Sequence, residues 1–362
     1  MNATLSPRVR VLVVDDSVTI RRLVTDALSQ DPEIEVIGSA ANGRIALQKI
    51  QQSTPDVVTL DVEMPELDGI ATLVAIRKTH PALPVIMFSS LTERAASETL
   101  EALSCGATDY VTKPSVQGGV VEAMKVVRDE LGRRVKALGR RAVSVPMRPP
   151  AVERVDGRRY PPEVLAIGAS TGGPNAIADV LSNLRELPIP VVITQHMPPL
   201  FTRLFAQRLA ASTPHRVREA EEGDALEPGL VLIAPGDFHM ACKREGTRVV
   251  VKLNRDPLEN SCRPAVDVML RSVVSVYGAR TLAVILTGMG QDGLRGCELV
   301  RAAGGQVVVQ DEASSVVWGM PGFVARANLA HAVVPIGAIA LQISSRVFVA
   351  AGSAYQVAHA AR

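Results

Sequence analysis

Short apolar runs alternate with longer stretches of helical period through residues 8–138. Runs of Val, Ile and Leu separated by segments with an apolar residue every three or four positions are typical of βα units. Successive βα units form a parallel sheet that is covered by helices on both faces. Strands are therefore expected at 9–14, 34–40, 57–60, 85–88 and 109–112, and helices at 17–30, 43–52, 68–79, 94–104 and 118–138.

Residues 139–162 interrupt this pattern. They are rich in Pro and Arg and have no apolar period, which is typical of a solvated, partly extended linker. The alternation then returns, so we predict an N-terminal domain of residues 1–138 and a second α/β domain of residues 163–350, each with a doubly wound parallel sheet. The residues around KREGTR predict one antiparallel hairpin within the second, mostly parallel sheet. Strands are expected there at VLAIG, PVVIT, VREAEEG, GLVLIAP, TRVVVKL, TLAVILT, GQVVVQD and HAVVP, and helices at 174–184, 200–211, 264–278, 292–303 and 321–328.

The composition narrows the functional classes. A chain of 362 residues with 47% apolar residues can fill two cores, and a net charge of +2 argues against duplex DNA as a partner. No apolar run approaches ~18 residues and the start has no signal-peptide pattern, so we expect a cytoplasmic chain that does not enter a membrane. In that compartment we expect four reduced thiols without a zinc site, at Cys105, Cys242, Cys262 and Cys297.

Acidic residues follow the predicted strands of the first domain. Asp15 and Asp16 come directly after VRVLVV, and Asp61 comes after DVVTL. The carboxyl ends of strands in a doubly wound sheet open onto one crevice, so these side chains are expected to meet. Three carboxylates need a cation to remain ionised together, and an all-oxygen set favours Mg²⁺. The backbone carbonyl of Glu63 is a further candidate ligand.

Two more strand ends add groups that suit a phosphoryl acceptor. Lys113, which follows DYVT, offers a positive charge to an incoming phosphoryl group, and Ser89, which follows VIMF, offers a hydroxyl to its oxygens. Taken singly, each of these residues is more often a polar cap at the end of a strand than part of a phosphorylation site. Their recurrence at successive strand ends favours a site in which Asp61 accepts phosphate as an acyl phosphate.

The motifs VLVVDDS, TLDVEMPELDG, VIMFSS and DYVTKP resemble those of a two-component receiver domain over essentially the whole first domain. The resemblance implies a flavodoxin-like fold and Mg²⁺-dependent phosphoryl transfer onto Asp61 from a histidine kinase. It also implies that Ser89 and Tyr110 rearrange on phosphorylation.

A second set of reactive residues lies in the C-terminal domain. Ser170 stands in GASTGGP, between a predicted strand and a helix, where a sharp turn exposes a hydroxyl and helix amides can face an anion. His196 and Asp292 follow two further apolar strands. A serine hydroxyl needs a base, which His196 can supply at an ordinary pKa, while Asp292 would hold the imidazole. Backbone amides near Met289 could then stabilise an oxyanion.

The motifs GASTGGP, QHMPPLFT, IAPGDFHM, RPAVDVML, LTGMGQDG and VVWGMP resemble the chemotaxis receptor glutamate methylesterases throughout residues 163–335. The resemblance implies a Rossmann-like domain that hydrolyses glutamate γ-methyl esters on chemoreceptor helices and deamidates receptor glutamines. It places Ser170, His196 and Asp292 in a triad, with Thr171 and the Met289 amide beside them. Leu200 and Cys262 depart from the family's usual Gly and His and would alter the substrate groove.

The resemblance also implies how the two domains are coupled. The unphosphorylated receiver would suppress the esterase by covering its crevice, and phosphorylation of Asp61 would release it. The partners implied are therefore a chemotaxis histidine kinase as phosphodonor and methylated receptor helices as substrate.

Other readings of the sequence are weaker. The order Ser, His, Asp differs from that of the α/β-hydrolases. A dinucleotide site on GASTGG would need an acid about 20 residues further on, and LPIPVVITQH contains none. The second domain lacks the basic charge and short helix-turn-helix unit of a DNA-binding regulator. Asp237 and His239 follow another strand, and either a second acid/base pair or structural hydrogen bonding would account for them.

Overall fold

The computed structural model describes residues 8–114, 119–139 and 160–360, with side chains up to residue 348. Most of the predicted linker, residues 140–159, and the predicted start of the helix at residue 118 lie outside these ranges. The chain separates into two compact units, Met1–Val145 and Pro146–Arg362. Within the described ranges, no helix combines the length and the apolar composition that crossing a bilayer requires.

The N-terminal unit contains one five-stranded parallel sheet in the order β2-β1-β3-β4-β5. This order is the flavodoxin-like one, and the chain changes direction along the sheet between β1 and β3. The strands are β1 (Val9–Val14), β2 (Ile34–Ala40), β3 (Val57–Asp61), β4 (Val85–Ser89) and β5 (Asp109–Thr112). The first four helices are α1 (Val18–Ser29), α2 (Gly43–Ser53), α3 (Gly69–Thr79) and α4 (Glu93–Ser104).

Polar side chains determine where these four helices begin. A side-chain oxygen at each N-cap accepts a hydrogen bond from a backbone amide in the first turn. The caps are Ser17, Asn42, Asp68 and Thr92. The predicted helix 118–138 is not a single α-helix, because a π-helical segment, Val127–Gly132, separates α5 (Val120–Val126) from α6 (Arg133–Gly139).

The C-terminal unit contains a seven-stranded parallel sheet in the order β14-β13-β12-β6-β7-β9-β8. Its strands are β6 (Val164–Ala169), β7 (Val191–Gln195), β8 (Arg216–Glu219), β9 (Leu230–Ile233), β12 (Thr281–Ile285), β13 (Gln306–Gln310) and β14 (Ala332–Val334). A separate hairpin consists of β10 (His239–Glu245) and β11 (Arg248–Asn254). The helices are α7 (Gly173–Ser182), α8 (Pro199–Ser212), α9 (Val266–Tyr277), α10 (Leu294–Ala302), α11 (Met320–Arg326) and α12 (Ile336–Ala360).

Two expectations for this unit were wrong, and one helix was not predicted. The hairpin is antiparallel but forms its own two-stranded sheet instead of joining the main one. The predicted strand VREAEEG is shorter than expected, because β8 ends at Glu219 and the acidic residues after it enter a turn. The sequence pattern did not predict α12, because its Ala-rich stretch has only a weak apolar stripe.

The topology brings three strand ends together at one edge of the main sheet. β6 is the central strand, and the chain passes from it to β7 on one side and later to β12 on the other. Ligands in open α/β sheets bind outside the carboxyl ends of the strands at such a reversal. Both neighbouring strands are almost completely buried, so the loops that follow them start from a rigid base.

Candidate functional sites

Asp292 is a buried carboxylate with five hydrogen bonds. It lies in the loop between β12 and α10, and its Oδ1 accepts from the side chain of Asn260 (2.9 Å) and from the backbone of Asp267 and Gly293 (3.0 Å each). Its Oδ2 accepts from the backbone of Val266 at 2.6 Å. Val266 and Asp267 are the first residues of α9, so the carboxylate caps that helix, where the dipole favours a negative charge. The fifth hydrogen bond comes from an imidazole.

His196 supplies that imidazole from the loop after β7. Its Nε2 lies 2.8 Å from Asp292 Oδ2, and its Nδ1 lies 3.5 Å from Cys262 Sγ. Burial of the imidazole opposes its protonation, but the hydrogen bonds and charges of Asp292 and Cys262 outweigh burial and raise the pKa of His196 to about 10. The expectation of an ordinary pKa was therefore wrong. Burial also raises the pKa of Asp292, yet His196 and the backbone amides together hold it below its usual value.

Ser170 lies beside His196 because the strands that precede them are paired. Ala169 of β6 is in register with Gln195 of β7, so the next residue of each strand enters the same crevice. Neighbouring strands are about 4.8 Å apart, which places the two residues within reach of each other. The amide of Gln195 donates to the Ser170 carbonyl at 3.0 Å and fixes the turn. The Ser170 hydroxyl makes no hydrogen bond to another residue of the described chain.

Two backbone amides near Ser170 are free. Within the described ranges, neither the N–H of Thr171 nor that of Met289 donates to another residue. Gly288 brings the second of these close to the nucleophile, because a Cβ at Gly288 would lie 2.9 Å from Ser170 Cβ. Thr171 lies in the turn before α7, and its carbonyl accepts from Thr287 Oγ1 at 2.9 Å. These amides are therefore available to an oxyanion.

The structure adds two residues that the sequence pattern did not indicate. Asn260 donates through Nδ2 to Asp292 Oδ1 and to Asp267 Oδ2, at 2.9 Å in both cases. Burial, with the charge of Asp292 as a further contribution, raises the pKa of Asp267 to about 6. No sequence signal identifies Asn260, because a tight turn, not a strand end, brings it to the site.

The acidic residues of the N-terminal unit form one cluster. Carboxylate oxygens of Asp15, Asp16 and Asp61 lie within 4.8 Å of one another. Lys113 Nζ lies 2.8 Å from Asp15 Oδ2 and 2.8 Å from Asp61 Oδ2. Burial of Asp61 and the charge of Asp15 outweigh the effect of Lys113 and raise the pKa of Asp61 to about 6. An oxygen-ligand set with excess negative charge, in which Asp15 and Asp61 are buried and Asp16 is exposed, fits a hard divalent cation such as Mg²⁺.

The other residues predicted for this site are Glu63, which contacts Asp61, and Ser89 and Tyr110, which lie on β4 and β5. The backbone N–H of Glu63 donates to Asp61 Oδ1 at 3.4 Å, and the Glu63 side chain is exposed. Ser89 is buried, and its hydroxyl donates to the carbonyl oxygens of Ser90 and Ala95 at 3.3 and 3.2 Å. Tyr110 is buried on β5, and burial raises the pKa of its phenol.

Comparisons with known proteins agree on both halves of the chain. A family model described as response regulator receiver domain matches residues 11–125, and one described as CheB methylesterase matches residues 165–343. A protein-glutamate methylesterase/protein-glutamine glutaminase of Nocardioides sp. is 51% identical over 91% of this chain and 93% of its own length. The chain belongs to this methylesterase/glutaminase family.

Further members of the family support the assignment. A Pseudomonas aeruginosa protein of the same name is 44% identical over 92% of this chain and 95% of its own. The solved catalytic domain of the Thermotoga maritima CheB methylesterase is 40% identical, with a TM-score of 0.50, and covers 51% of this chain and 98% of that one. The parallel α/β fold of the methylesterase and the receiver identity of the first sheet are thus confirmed.

The remaining residues considered for the methylesterase site have mainly structural contacts. Asp237 pairs with Arg263 at 2.6 Å. His239 is buried, accepts from the backbone of Ala265 through Nδ1 at 3.2 Å and contacts the Pro257 carbonyl through Nε2 at 3.1 Å. These contacts favour structural hydrogen bonding over a second acid/base pair. Leu200 lies in the first turn of α8.

Proposed function

We propose that this chain hydrolyses glutamate γ-methyl esters on chemoreceptor helices, deamidates receptor glutamines, and is regulated by phosphorylation. The observation that supports the hydrolase most directly is the His196–Asp292 pair at 2.8 Å, with Ser170 on the adjoining strand end. Family membership supports the ester and amide substrates, since the relatives are named for both activities. The chain would act in the cytoplasm, where receptor signalling helices are exposed.

Acylation follows from the orientation of the imidazole. Asp292 engages Nε2, so it is through Nδ1 that the neutral form of His196, whose share grows as pH rises towards its raised pKa, accepts the Ser170 proton. The hydroxyl oxygen attacks the ester carbonyl carbon, and the resulting tetrahedral oxyanion is stabilised by the free amides of Thr171 and Met289. The C–O bond to the methoxy group then breaks, and the proton on Nδ1 leaves with methanol. With a glutamine side chain, ammonia leaves instead.

Deacylation uses the same groups in reverse order. A water molecule gives a proton to His196 Nδ1 and attacks the acyl carbon, and Ser170 leaves with that proton to release the glutamate side chain. Asp292 stabilises the imidazolium in both steps. The backbone amides of α9 keep Asp292 ionised, so it supports the imidazolium without taking its proton.

The N-terminal unit would accept a phosphoryl group from a histidine kinase on Asp61. Asp15, Asp16 and Asp61, with the Glu63 carbonyl, would hold Mg²⁺, which neutralises charge on the transferring phosphoryl group. Lys113 pairs with Asp61 at 2.8 Å and would pair with a phosphoryl oxygen after phosphorylation. Ser89 would have to break its hydrogen bond to Ala95 in order to reach the phosphoryl oxygens, and Tyr110 would rearrange with it.

The test measures both products from a purified receptor. Methanol release from a methylated receptor fragment and ammonia release from its glutamine form are followed with and without a small-molecule phosphodonor and Mg²⁺. We expect both products and a phosphodonor-dependent increase in rate that Asp61→Asn abolishes. Asp26→Asn is the matched control, because Asp26 is an exposed residue of α1. A full chain that releases neither product under any of these conditions would contradict the proposal.

A further inference from the structure

Cys262 contacts the base of the candidate triad. Its Sγ lies 3.5 Å from Nδ1 of His196, whose other ring nitrogen is held by Asp292 at 2.8 Å. A cysteine, an imidazole and a carboxylate in this sequence form the arrangement that activates thiols as nucleophiles, because the imidazole takes the thiol proton and the carboxylate stabilises the imidazolium. We propose that Cys262 is a modification site, a thiol activated by His196 that hydrogen peroxide oxidises, and that its oxidation switches the esterase off.

A rigid turn holds the thiol in this position. Glu259 and Cys262 exchange backbone hydrogen bonds of 3.2 and 2.9 Å across a tight turn. Asn260 and Ser261, the central residues, both have positive φ angles, 53° and 61°. The Asn260 amide ties the turn to Asp267 and Asp292. Because of these constraints, the contact between Cys262 and His196 is built into the site.

The other cysteines lack this combination of access and activation. Cys242 and Cys297 are buried, and burial raises the pKa of the Cys242 thiol to about 12 and that of Cys297 further. Cys105 is half-buried at the end of α4, like Cys262, but only Cys262 among the four contacts a histidine ring within the described ranges. Cys262 itself is only half-buried, so it is more accessible to small reagents than Cys242 and Cys297. Cys105 is therefore a matched control for exposure without activation.

The oxidation balances with peroxide as the co-reactant. The Cys262 thiolate sulfur attacks one peroxide oxygen, an S–O bond forms and the O–O bond breaks. The leaving hydroxide takes the proton from the His196 imidazolium and departs as water. The sulfur is oxidised by two electrons to a sulfenic acid and the peroxide is reduced. The added oxygen then lies against Nδ1, which can no longer accept the Ser170 proton.

The first experiment follows the thiol directly in the full chain. Peroxide is added with a sulfenic-acid probe, dimedone, and adducts at Cys262 and Cys105 are quantified by peptide mass spectrometry. We expect Cys262 to label about tenfold faster than Cys105. His196→Gln should abolish this difference, while Ser170→Ala should preserve it. Equal labelling of the two thiols in the native chain, or labelling of Cys262 that is indifferent to His196→Gln, would overturn the proposal.

The second experiment follows methanol release, with each protein normalised to its own untreated rate. Peroxide should inactivate the native chain and Cys105→Ala alike, and dithiothreitol should restore both. Cys262→Ala and Cys262→Ser should retain their own rates after the same treatment. Loss of activity in both Cys262 variants would overturn the switch. Only this second experiment rests on the proposed function, so fast labelling of Cys262 in a chain with no esterase activity would contradict that function and leave the reactive thiol intact.

Discussion

Asp292 shows how single residues tune the site. A buried carboxylate is costly unless it is hydrogen-bonded, and this one is bonded to His196, to Asn260 and to three backbone amides. Two of those amides begin α9, where the helix dipole favours a negative charge. The carboxylate therefore stays ionised, and its hydrogen bond to His196, together with the contact from Cys262, raises the pKa of the imidazole.

Asn260 is expected to be a positioning residue for Asp292. Asn260→Ala removes a hydrogen bond to a charged group worth about 2 kcal/mol, so we expect kcat/KM for methanol release to fall about 30-fold. The ascending limb of the pH–rate profile, which reports the base, should also move to lower pH, since the Asp292 carboxylate that raises the pKa of His196 is less well held. The control is Asn328→Ala, because Asn328 is likewise exposed and has a positive φ, 56°, but makes none of the hydrogen bonds to Asp292. If Asn260→Ala and Asn328→Ala lose the same activity and the pH–rate profile does not move, Asn260 stabilises only the turn and does not position Asp292.

Sequence could identify the residues whose position depends on a strand end. Ser170, His196 and Asp292 each follow an apolar strand, and parallel strands in one sheet bring such residues to one edge. Asn260 lies in a turn after the hairpin, and only the path of the chain in three dimensions returns that turn to the site, whereas Cys262 in the same turn is assigned to the substrate groove by family resemblance alone. The raised pKa of His196 likewise depends on its hydrogen bonds to Asp292 and Cys262, which no motif encodes.

Asp61 makes the stability of the N-terminal unit pH-dependent. Its folded-state pKa is about 6, above the ordinary value of 3.8, so the folded state binds the proton more tightly and loses stability as pH rises from about 4 to 6. Asp61→Asn should therefore raise the melting temperature of this unit at pH 8 and change it little at pH 4. Calorimetry of the full chain measures this, with Asp26→Asn as control. If the Asp61→Asn chain melts at the same temperature as the native chain at pH 8, ionised Asp61 does not destabilise the folded unit, and the account of its raised pKa is wrong.

At the scale of elements, the positions of the strands were easier to predict than the pairing between them. Runs of Val, Ile and Leu bounded by turn residues predicted the parallel strands to within a residue or two, except β8, which ends four residues earlier than expected. The sequence pattern could not show that β10 and β11 form a sheet of their own, because strand pairing is determined by tertiary packing. The π-helical segment at Val127–Gly132 also escaped prediction, since its apolar period differs little from that of an α-helix.

The loop after β12 depends on a glycine that approaches the nucleophile. A Cβ at Gly288 would lie 2.4 Å from Met320 Sδ and 2.9 Å from Ser170 Cβ, both too close without movement. Gly288→Ala should therefore displace Ser170 and lower kcat for methanol release about 100-fold. Gly337→Ala is the control, because a Cβ there meets nothing within 4 Å. A Gly288→Ala chain with native kcat would show that the nucleophile tolerates this displacement.

At the scale of the whole molecule, the chain joins a phospho-acceptor unit to a hydrolase unit. Tethering keeps the two at high effective concentration, so even weak affinity between them is sufficient for regulation. A bistable equilibrium needs only a few kcal/mol of bias to shift its population, and a phosphoryl group at Asp61 adds about −1.5 to −2 charge. The two units can therefore be coupled without a permanent interface.

A shortened chain that begins at Arg159 should be more active than the unphosphorylated full chain, because the receiver's suppression is lost. We expect its methanol release to match or exceed that of the full chain treated with a phosphodonor. The phosphodonor itself should have no effect on the shortened chain, which lacks Asp61. Equal rates for the shortened and the untreated full chain would contradict inhibition by the receiver and leave receptor recruitment as its role.

Methanol release by Ser170→Ala tests the central claim most directly. In triad hydrolases, loss of the nucleophile or the base costs about 10⁶ in kcat and loss of the acid about 10⁴. We therefore predict near-complete loss in Ser170→Ala and His196→Ala, and a measurable residual rate in Asp292→Asn. Ser182→Ala, an exposed serine at the end of α7, should keep the native rate. A folded Ser170→Ala chain that releases methanol at the native rate would contradict the covalent mechanism.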